Sequence, residues 1–539
     1  VAGPVLRGAD GRMWIVYQGS RHVVVADDAF PPLALSRSDV VDATTDVLDS
    51  YPVARPFGNQ VRTWPVITYL LTVAFAVIYA VRTAHLSPRH GLAGMDMFGW
   101  AGLLAVGGVM VALRTYFVTL YPWLPDGADS QAYSSAALHL VRGNSIFSED
   151  KYRSFIGVTS PLYPLVLWLI SPALWFTNGN VVGWKLAQVA LSVVLAAYTG
   201  VLGTRVANAQ IGRVAAMTSL CSPVWFYSAE LIQYELVFAL LLVMGVVHFL
   251  AYQDEASPSS LAASSASWGF ALVCQLKAVV VVGSFGAMLA WQAFRSRKRS
   301  GLRITAHRWV MVLIFSVLAT SPTILWGFRN VITHGEFIVG SIGSGVVLWM
   351  GNQARATGGI MGPSRPERYD EVAARYSGDQ SVLKETRIYY ELAIREIISN
   401  PSRILYLAMI KFDRFWWALY PERLADRLEA RVNVFSGNLV DPFLVRALSM
   451  AVNTVTIGFS IYGVIAGFRM GEQQSRFRFA LVATIMLFCL VHLPFLSEPR
   501  YRVPVLPFME VLSVIGLARA VARFRAAGPY HPIDVPEHA

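Results

Sequence analysis

Charged side chains are scarce in this chain: Asp, Glu, Lys and Arg make up 15% of its 539 residues. A water-soluble protein of this length carries roughly a quarter charged residues and divides into several domains. The scarcity excludes an ordinary soluble globular protein. Cysteine is also rare. The three cysteines, Cys221, Cys274 and Cys489, all fall inside apolar runs, so they read as small packing residues rather than as disulfide partners or metal ligands. No phosphate-cradling glycine loop is expected, because Gly343-Ser344-Gly345 follows no strand-to-helix pattern. No internal repeat of the kind that builds many transporters is visible. Nor does a basic stretch followed by an apolar one open the chain, so no signal peptide is expected.

What is abundant is apolar: 55% of the residues are hydrophobic. Runs near the spanning length of about 20 residues recur along the chain. They cover 63–81, 97–121, 162–176, 181–201, 214–228, 236–252, 260–274, 278–293, 309–328, 444–467, 479–495 and 503–521. The expected fold class is an all-α polytopic membrane protein, a bundle of about 11–13 transmembrane helices. The net charge of +11 is local, with Arg295, Arg297, Lys298, Arg299, Arg303 and Arg308 in one loop and Arg469, Arg476 and Arg478 in another. Arg519, Arg523 and Arg525 crowd the tail. Such loops stay cytoplasmic under the positive-inside rule. No folded basic domain exists to carry nucleic acid.

Residues 1–62 differ from the rest. The stretch 12–25 alternates around Gln18-Gly19-Ser20 like a β-hairpin, and a Ser/Asp-rich run follows, so a small accessory β-containing module is expected there. The transmembrane domain then covers 63–525, with outer loops at 122–160 and 329–441, and 526–539 forms a cytoplasmic tail. Within the second loop, 402–419 reads as an amphipathic interfacial helix anchored by Trp416 and Trp417. With both Asp129 and Glu230 on the outer side, 162–228 must hold an even number of crossings. It contains three apolar runs, so one of them, with 162–176 the shortest, is expected to be interfacial or re-entrant.

Polar residues converge on the outer side: Asp126 and Asp129 with Lys151 and Arg153, then 230–235, Lys277, and Arg329 with Arg500 and Arg502. Ionisable groups at membrane depth are expensive and mark function. An outward carboxylate with several cations beside lipid suits transfer of a sugar from a lipid phosphate. The acceptor hydroxyl needs a general base, which a carboxylate supplies, and the departing phosphate needs positive charge. Displacement from the opposite face inverts the anomeric centre. A glycosidase would instead set two acids across the bond, which the three-residue offset of Asp126 and Asp129 disfavours.

Seven short motifs carry a family resemblance. They are Asp129-Ser130-Gln131-Ala132-Tyr133 followed by His139 and Gly143; Ser160-Pro161-Leu162-Tyr163-Pro164; Leu276-Lys277; Trp326-Gly327-Phe328-Arg329-Asn330; Gly351-Asn352 through Thr357-Gly358; Asn400-Pro401; and Glu498-Pro499-Arg500-Tyr501-Arg502-Val503-Pro504. In this order they resemble the GT-C membrane glycosyltransferases, in the branch of the protein O-mannosyltransferases and the lipid A aminoarabinose transferases. The resemblance implies a GT-C helical bundle and a polyprenyl-phosphate-linked sugar as donor. It implies a glycan, lipid or protein acceptor, and an extracytoplasmic active site in the cytoplasmic membrane of a prokaryote. Asp129 aligns with the catalytic base, and Asp126 orients the acceptor or helps to bind a metal. Tyr133, Asn352, Arg500, Tyr501 and Arg502 fall on matched motifs and would line the donor or acceptor cavity. Lys151, Arg153, Lys277 and Arg329 are the cations for the phosphate, on charge and side. Ser130 stands where the family commonly has a second acid, which weakens the case for a tightly bound divalent cation, and no metal ligands are assigned. Thr159-Ser160 replaces a lysine of the aminoarabinose transferases, which puts an identical donor in doubt. A polysaccharide polymerase or ligase and a transporter or lipid flippase are the alternatives.

Overall fold

The computed structural model describes residues 5–7, 13–17, 20–24, 40–42, 68, 71–72, 75–76, 97–120, 128–147, 161–175, 181–299, 302–341, 343–359, 382–417, 442–467 and 472–526. Four short strands come first: β1 (Val5–Arg7), β2 (Met13–Tyr17), β3 (Ser20–Val24) and β4 (Val40–Asp42). They pair in the order β3-β2-β1-β4, antiparallel except for the parallel β1–β4 pair. Every regular element described after them is helical. In chain order the helices are α1 (Met97–Leu120), α2 (Ala128–Val141), α3 (Leu162–Leu169), α4 (Pro172–Trp175), α5 (Val182–Val206) and α6 (Ala209–Cys221). Then come α7 (Pro223–Glu230), α8 (Glu235–Glu255), α9 (Pro258–Cys274), α10 (Val279–Arg299), α11 (Leu302–His334) and α12 (Ser344–Asn352). The last are α13 (Val382–Ser399), α14 (Pro401–Trp416), α15 (Pro442–Gly467), α16 (Glu472–His492) and α17 (Leu506–Ala526). Two 3-10 turns, Leu276–Ala278 and Pro499–Val505, lead into α10 and α17.

Among the described residues, five stretches are long and apolar enough to cross a membrane: Val182–Val206, Glu235–Glu255, Leu276–Arg295, Ile304–His334 and Pro499–Phe524. Shorter apolar helices span Ala101–Tyr116, Met450–Ile465 and Phe477–His492. The chain is thus a polytopic, mainly helical membrane protein. Most of the first expected span, 63–81, lies outside the described residues.

Two expected segments differ from what forms, while 162–176, expected to be the interfacial or re-entrant run, is too short to cross. The run 162–176 yields only the eight-residue α3 and a further turn, α4. At 1.5 Å per residue α3 is about 12 Å long, against about 30 Å of hydrocarbon. The run 214–228 is divided at Ser222, whose backbone is extended (ψ 123°), because Pro223 cannot continue α6 and instead opens α7. The expected helix end at Phe328 is passed, since α11 runs on through Arg329 and Asn330 to His334.

Packing is that of a membrane bundle, where small residues and buried hydroxyls bring helices together. α8 and α9 form a hairpin in which Ser264 Oγ donates to Gly245 O at 2.7 Å. Phe249, Trp268, Phe285 and Phe315 pack around this hairpin, with the Trp268 and Phe285 rings 4.7 Å apart. α15 and α17 run side by side in the same direction, since Asn453 meets Arg502 and Ser460 meets Met509. Their backbones touch at Gly463 and Gly516. A Cβ on the first would run into Leu512 O, and one on the second into Phe459 O. Along α14, Leu407, Lys411 and Phe415 face inward, while Leu405, Tyr406, Met409 and Phe412 are exposed. That is the pattern of an amphipathic helix with an apolar outer face.

Candidate functional site

Five helix ends meet at one place. α2 starts there with Asp129 in its first turn, and α8 starts there with Glu235. The 3-10 turn between α9 and α10 brings Lys277, α16 ends there in His492, and the turn before α17 brings Arg500 and Tyr501. An acid at a helix N-terminus is favoured by the helix dipole, which accounts locally for Asp129 and Glu235. A 3-10 turn opened by Pro499 holds the following side chains close together.

Arg500 is the centre of the arrangement. Its Nη1 lies 2.9 Å from Asp129 Oδ2, joining positions 371 residues apart, and its Nε lies 4.0 Å from Glu498 Oε2. Glu235 feels the charges of both Arg500 and Asp129. It is 2% exposed, and neither of its carboxylate oxygens meets a hydrogen-bond donor among the described residues. A buried carboxylate without direct partners is costly, so the nearby guanidinium matters to it. Asp129, by contrast, is 45% exposed. Arg500 takes Oδ2, while Oδ1 meets no donor among the described residues.

Tyr501 forms the floor. One side of the arrangement stacks its ring on His492, with centroids 5.1 Å apart and planes 26° apart. Two cations approach the same ring: Lys277 Nζ at 4.7 Å and Arg500 Cζ at 5.4 Å from its centroid. Lys277 also lies 5.1 Å from the Phe495 centroid, and it has no hydrogen bond or ion pair among the described residues. Cation–π contact holds the ammonium without neutralising it, and Arg500 sits near enough to repel it. His492 is fixed by Nδ1 against Phe488 O at 2.7 Å. Tyr133 packs edge-on against Tyr163, 5.0 Å between centroids, and lies 6.2 Å from Tyr234. Burial, together with the adjacent Glu235 carboxylate, pushes the Tyr234 phenol well up, so it stays a neutral hydroxyl.

Of the residues singled out in the sequence, Asp129, Tyr133, Lys277, Arg500 and Tyr501 are therefore brought together. Three others are engaged elsewhere. Arg329 reaches Ile146 O through Nε (3.1 Å) and Nη2 (2.6 Å), and its Nη1 meets Asn330 Oδ1 at 2.9 Å. Arg502, 1% exposed, donates to Phe415 O at 3.0 Å, to Trp417 O at 2.9 Å and to Asn453 Oδ1. Asn352 is fully buried and donates to Leu348 O and Pro494 O, both at 2.7 Å. Its Oδ1 accepts from Lys411 at 2.9 Å, and burial, with the Arg403 charge adding to it, pulls the Lys411 ammonium down to about 8. Asp126, Lys151 and Arg153 lie outside the described residues.

These engaged residues dock two distant motifs on each other. A Cβ at Gly351 would strike Phe495 O, so α12 meets the 494–497 segment backbone to backbone, and Ser497 N donates to Gly358 O at 2.9 Å. The 351–358 motif thus supports the turn that holds Arg500. Glu235, Glu498 and His492 are the site residues that sequence reasoning did not assign. The signals for Glu235 were its place in the outer 230–235 stretch and an acid where an apolar helix begins, neither of which assigns it a role.

Among the described residues no group of three or more His, Cys, Asp or Glu side chains is placed to hold a metal ion. No protein-family model matches the chain, and no curated protein matches it.

Proposed function

We propose that the chain is an inverting glycosyltransferase of GT-C type. It moves a sugar from a polyprenyl-phosphate donor to a glycan, lipid or protein acceptor on the outer face of a prokaryotic cytoplasmic membrane. The observation that carries this reading is the Asp129–Arg500 contact beside Lys277, which unites three of the motifs on which the family resemblance rests.

Asp129 Oδ1 accepts the proton of the acceptor hydroxyl, and the acceptor oxygen forms its bond to the anomeric carbon. The bond from that carbon to the phosphate oxygen breaks, and its electron pair leaves with the lipid phosphate. Lys277, held on Tyr501 and Phe495 with no anion of its own among the described residues, and Arg500 stabilise the departing charge. Attack from the face opposite the phosphate inverts the centre. A divalent cation belongs to this reading only as an addition, held through Asp129 and Asp126. In the same reading, residues 1–62 form an outer accessory module, and the bundle contains the full set of about 11–13 spans.

The experiment is reconstitution of the purified chain in liposomes with labelled polyprenyl-phosphate sugars and candidate acceptors, followed by NMR of the product's anomeric configuration. Inversion is expected. Retention of configuration, or no transfer from any lipid-linked donor, would contradict the proposal, the second result favouring a flippase or transporter.

A further inference from the structure

A line of buried polar side chains runs behind the site, through apolar surroundings in which each needs a partner. Two of them, Gln188 and Ser192, lie one turn apart on the same face of α5 and are each 1% exposed. Gln188 Oε1 accepts from the Tyr163 hydroxyl of α3 at 2.8 Å. Its Nε2 donates to Leu231 O at 2.8 Å, in the link that leads from α7 to Glu235. Tyr163 is the ring against which Tyr133, one turn beyond Asp129, packs edge-on.

Ser192 Oγ accepts from Arg114 of α1, and the other Nη of Arg114 donates to Leu220 O at the end of α6, 2.7 Å away. In α7, Trp225 Nε1 donates to Glu510 Oε1 of α17 at 3.0 Å. Glu510 lies beside Ser219 and Ser222 and feels the Arg114 charge. α17 continues directly from the turn that carries Arg500. The segments bearing Asp129, Glu235 and Arg500 are therefore each tied to α5 or α7, the first through the ring contact of Tyr133 on Tyr163 and the other two through hydrogen bonds of Gln188 and Trp225.

We infer that Arg114, Gln188, Ser192, Trp225 and Glu510 are positioning residues, a hydrogen-bonded brace that holds Asp129, Glu235 and Arg500 at their working separations. Apolar contact between helices in lipid leaves rotation and register loosely set, whereas a directional bond between them sets both. The link to activity rests on the proposed transfer reaction; the bracing itself does not.

The test uses two readouts on the full chain. In the first, Cys221, Cys274 and Cys489 are replaced by Ala, and Asp129→Cys with Arg500→Cys supplies a thiol pair. A short bifunctional methanethiosulfonate reagent bridges the pair, scored by intact mass. Glu510→Leu and Trp225→Phe are each expected to lower bridging about fivefold. Glu510→Gln, which keeps an acceptor for the indole N–H, holds it within about twofold of the parent. In the second readout, without the thiol pair, Glu510→Leu and Trp225→Phe lower kcat about tenfold and leave the donor KM nearly unchanged, as misplacement of reacting groups does. If Glu510→Leu aggregates, the milder Trp225→Phe decides.

Lost bridging in a parent chain that transfers no sugar would leave the brace standing and sink the transfer reading. Unchanged bridging in monodisperse Leu and Phe variants would overturn the brace, as would a Gln variant as damaged as the Leu one. Lost bridging with unchanged kcat would overturn the positioning role.

Discussion

Arg500 and Arg502 stand two residues apart on one 3-10 turn, and their surroundings differ sharply. Arg502 is buried and donates to two backbone carbonyls and an amide oxygen, so its charge joins α14, α15 and the turn. Arg500 faces carboxylates instead: Asp129 at 2.9 Å, Glu498 at 4.0 Å and, more distantly, Glu235. A cation engaged by carbonyls is structural, because those acceptors are neutral, fixed and unavailable to a ligand. A cation that shares a half-exposed carboxylate, or rests on a ring as Lys277 does, can still meet an incoming anion. Arg329 falls on the Arg502 side of this division, where the neutral amide of Asn352 is likewise engaged by carbonyls, and Lys277 falls on the Arg500 side.

That division is open to test, and the largest effect on stability belongs to the structural member. Arg502→Met leaves two carbonyls and Asn453 without their donor, and is expected to cost about 3–5 kcal/mol. The check is denaturant or thermal unfolding in detergent, and a loss under 1 kcal/mol would place Arg502 on the other side. A smaller effect comes from Lys411. Its folded-state proton leaves at about 8, while an unfolded lysine holds its proton to 10.5. Between those values the unfolded chain binds more protons, so stability rises with pH across that window. The gain is about 2 kcal/mol once partial screening is allowed for. Lys411→Met should flatten the rise, and an unaltered slope would show that the buried ammonium is not its source.

Lys277→Met should raise the donor KM or lower turnover about tenfold, equivalent to about 1.4 kcal/mol, with Lys277→Arg recovering part of it. A variant indistinguishable from the parent would remove Lys277 from the site. Smallest of all, Asp129→Asn should change stability by less than about 1 kcal/mol, since a half-exposed ion pair contributes little to folding. A large loss in melting temperature would recast Asp129 as a structural residue like Arg502.

How much of this was legible in the sequence follows the same line. The apolar runs announced a polytopic bundle, and the motifs that carry the family resemblance, with Asp129, Tyr133, Arg500 and Tyr501 among them, hold residues that do converge. Charge and side also picked out Lys277. Charge and side likewise picked out Arg329, and the motif matches picked out Asn352 and Arg502, because a backbone carbonyl has no sequence signature and could not be recognised in advance as their partner. Glu235 falls within the converging 230–235 stretch but receives no role from the sequence, for the converse reason. An acid where an apolar helix begins looks like a solvated loop end, and only the approach of α2 and α17 buries it beside Arg500. The break at Ser222-Pro223 carried a readable proline signal, outweighed in the sequence by the unbroken run of apolar residues around it.

The most direct measurement is sugar transfer from a polyprenyl-phosphate donor by the purified chain and by Asp129→Asn, with unfolding recorded on the same samples. The account predicts a fall in turnover of about 10²–10⁴-fold, the range for a lost general base, with stability nearly unchanged. Equal turnover by the two proteins would contradict it.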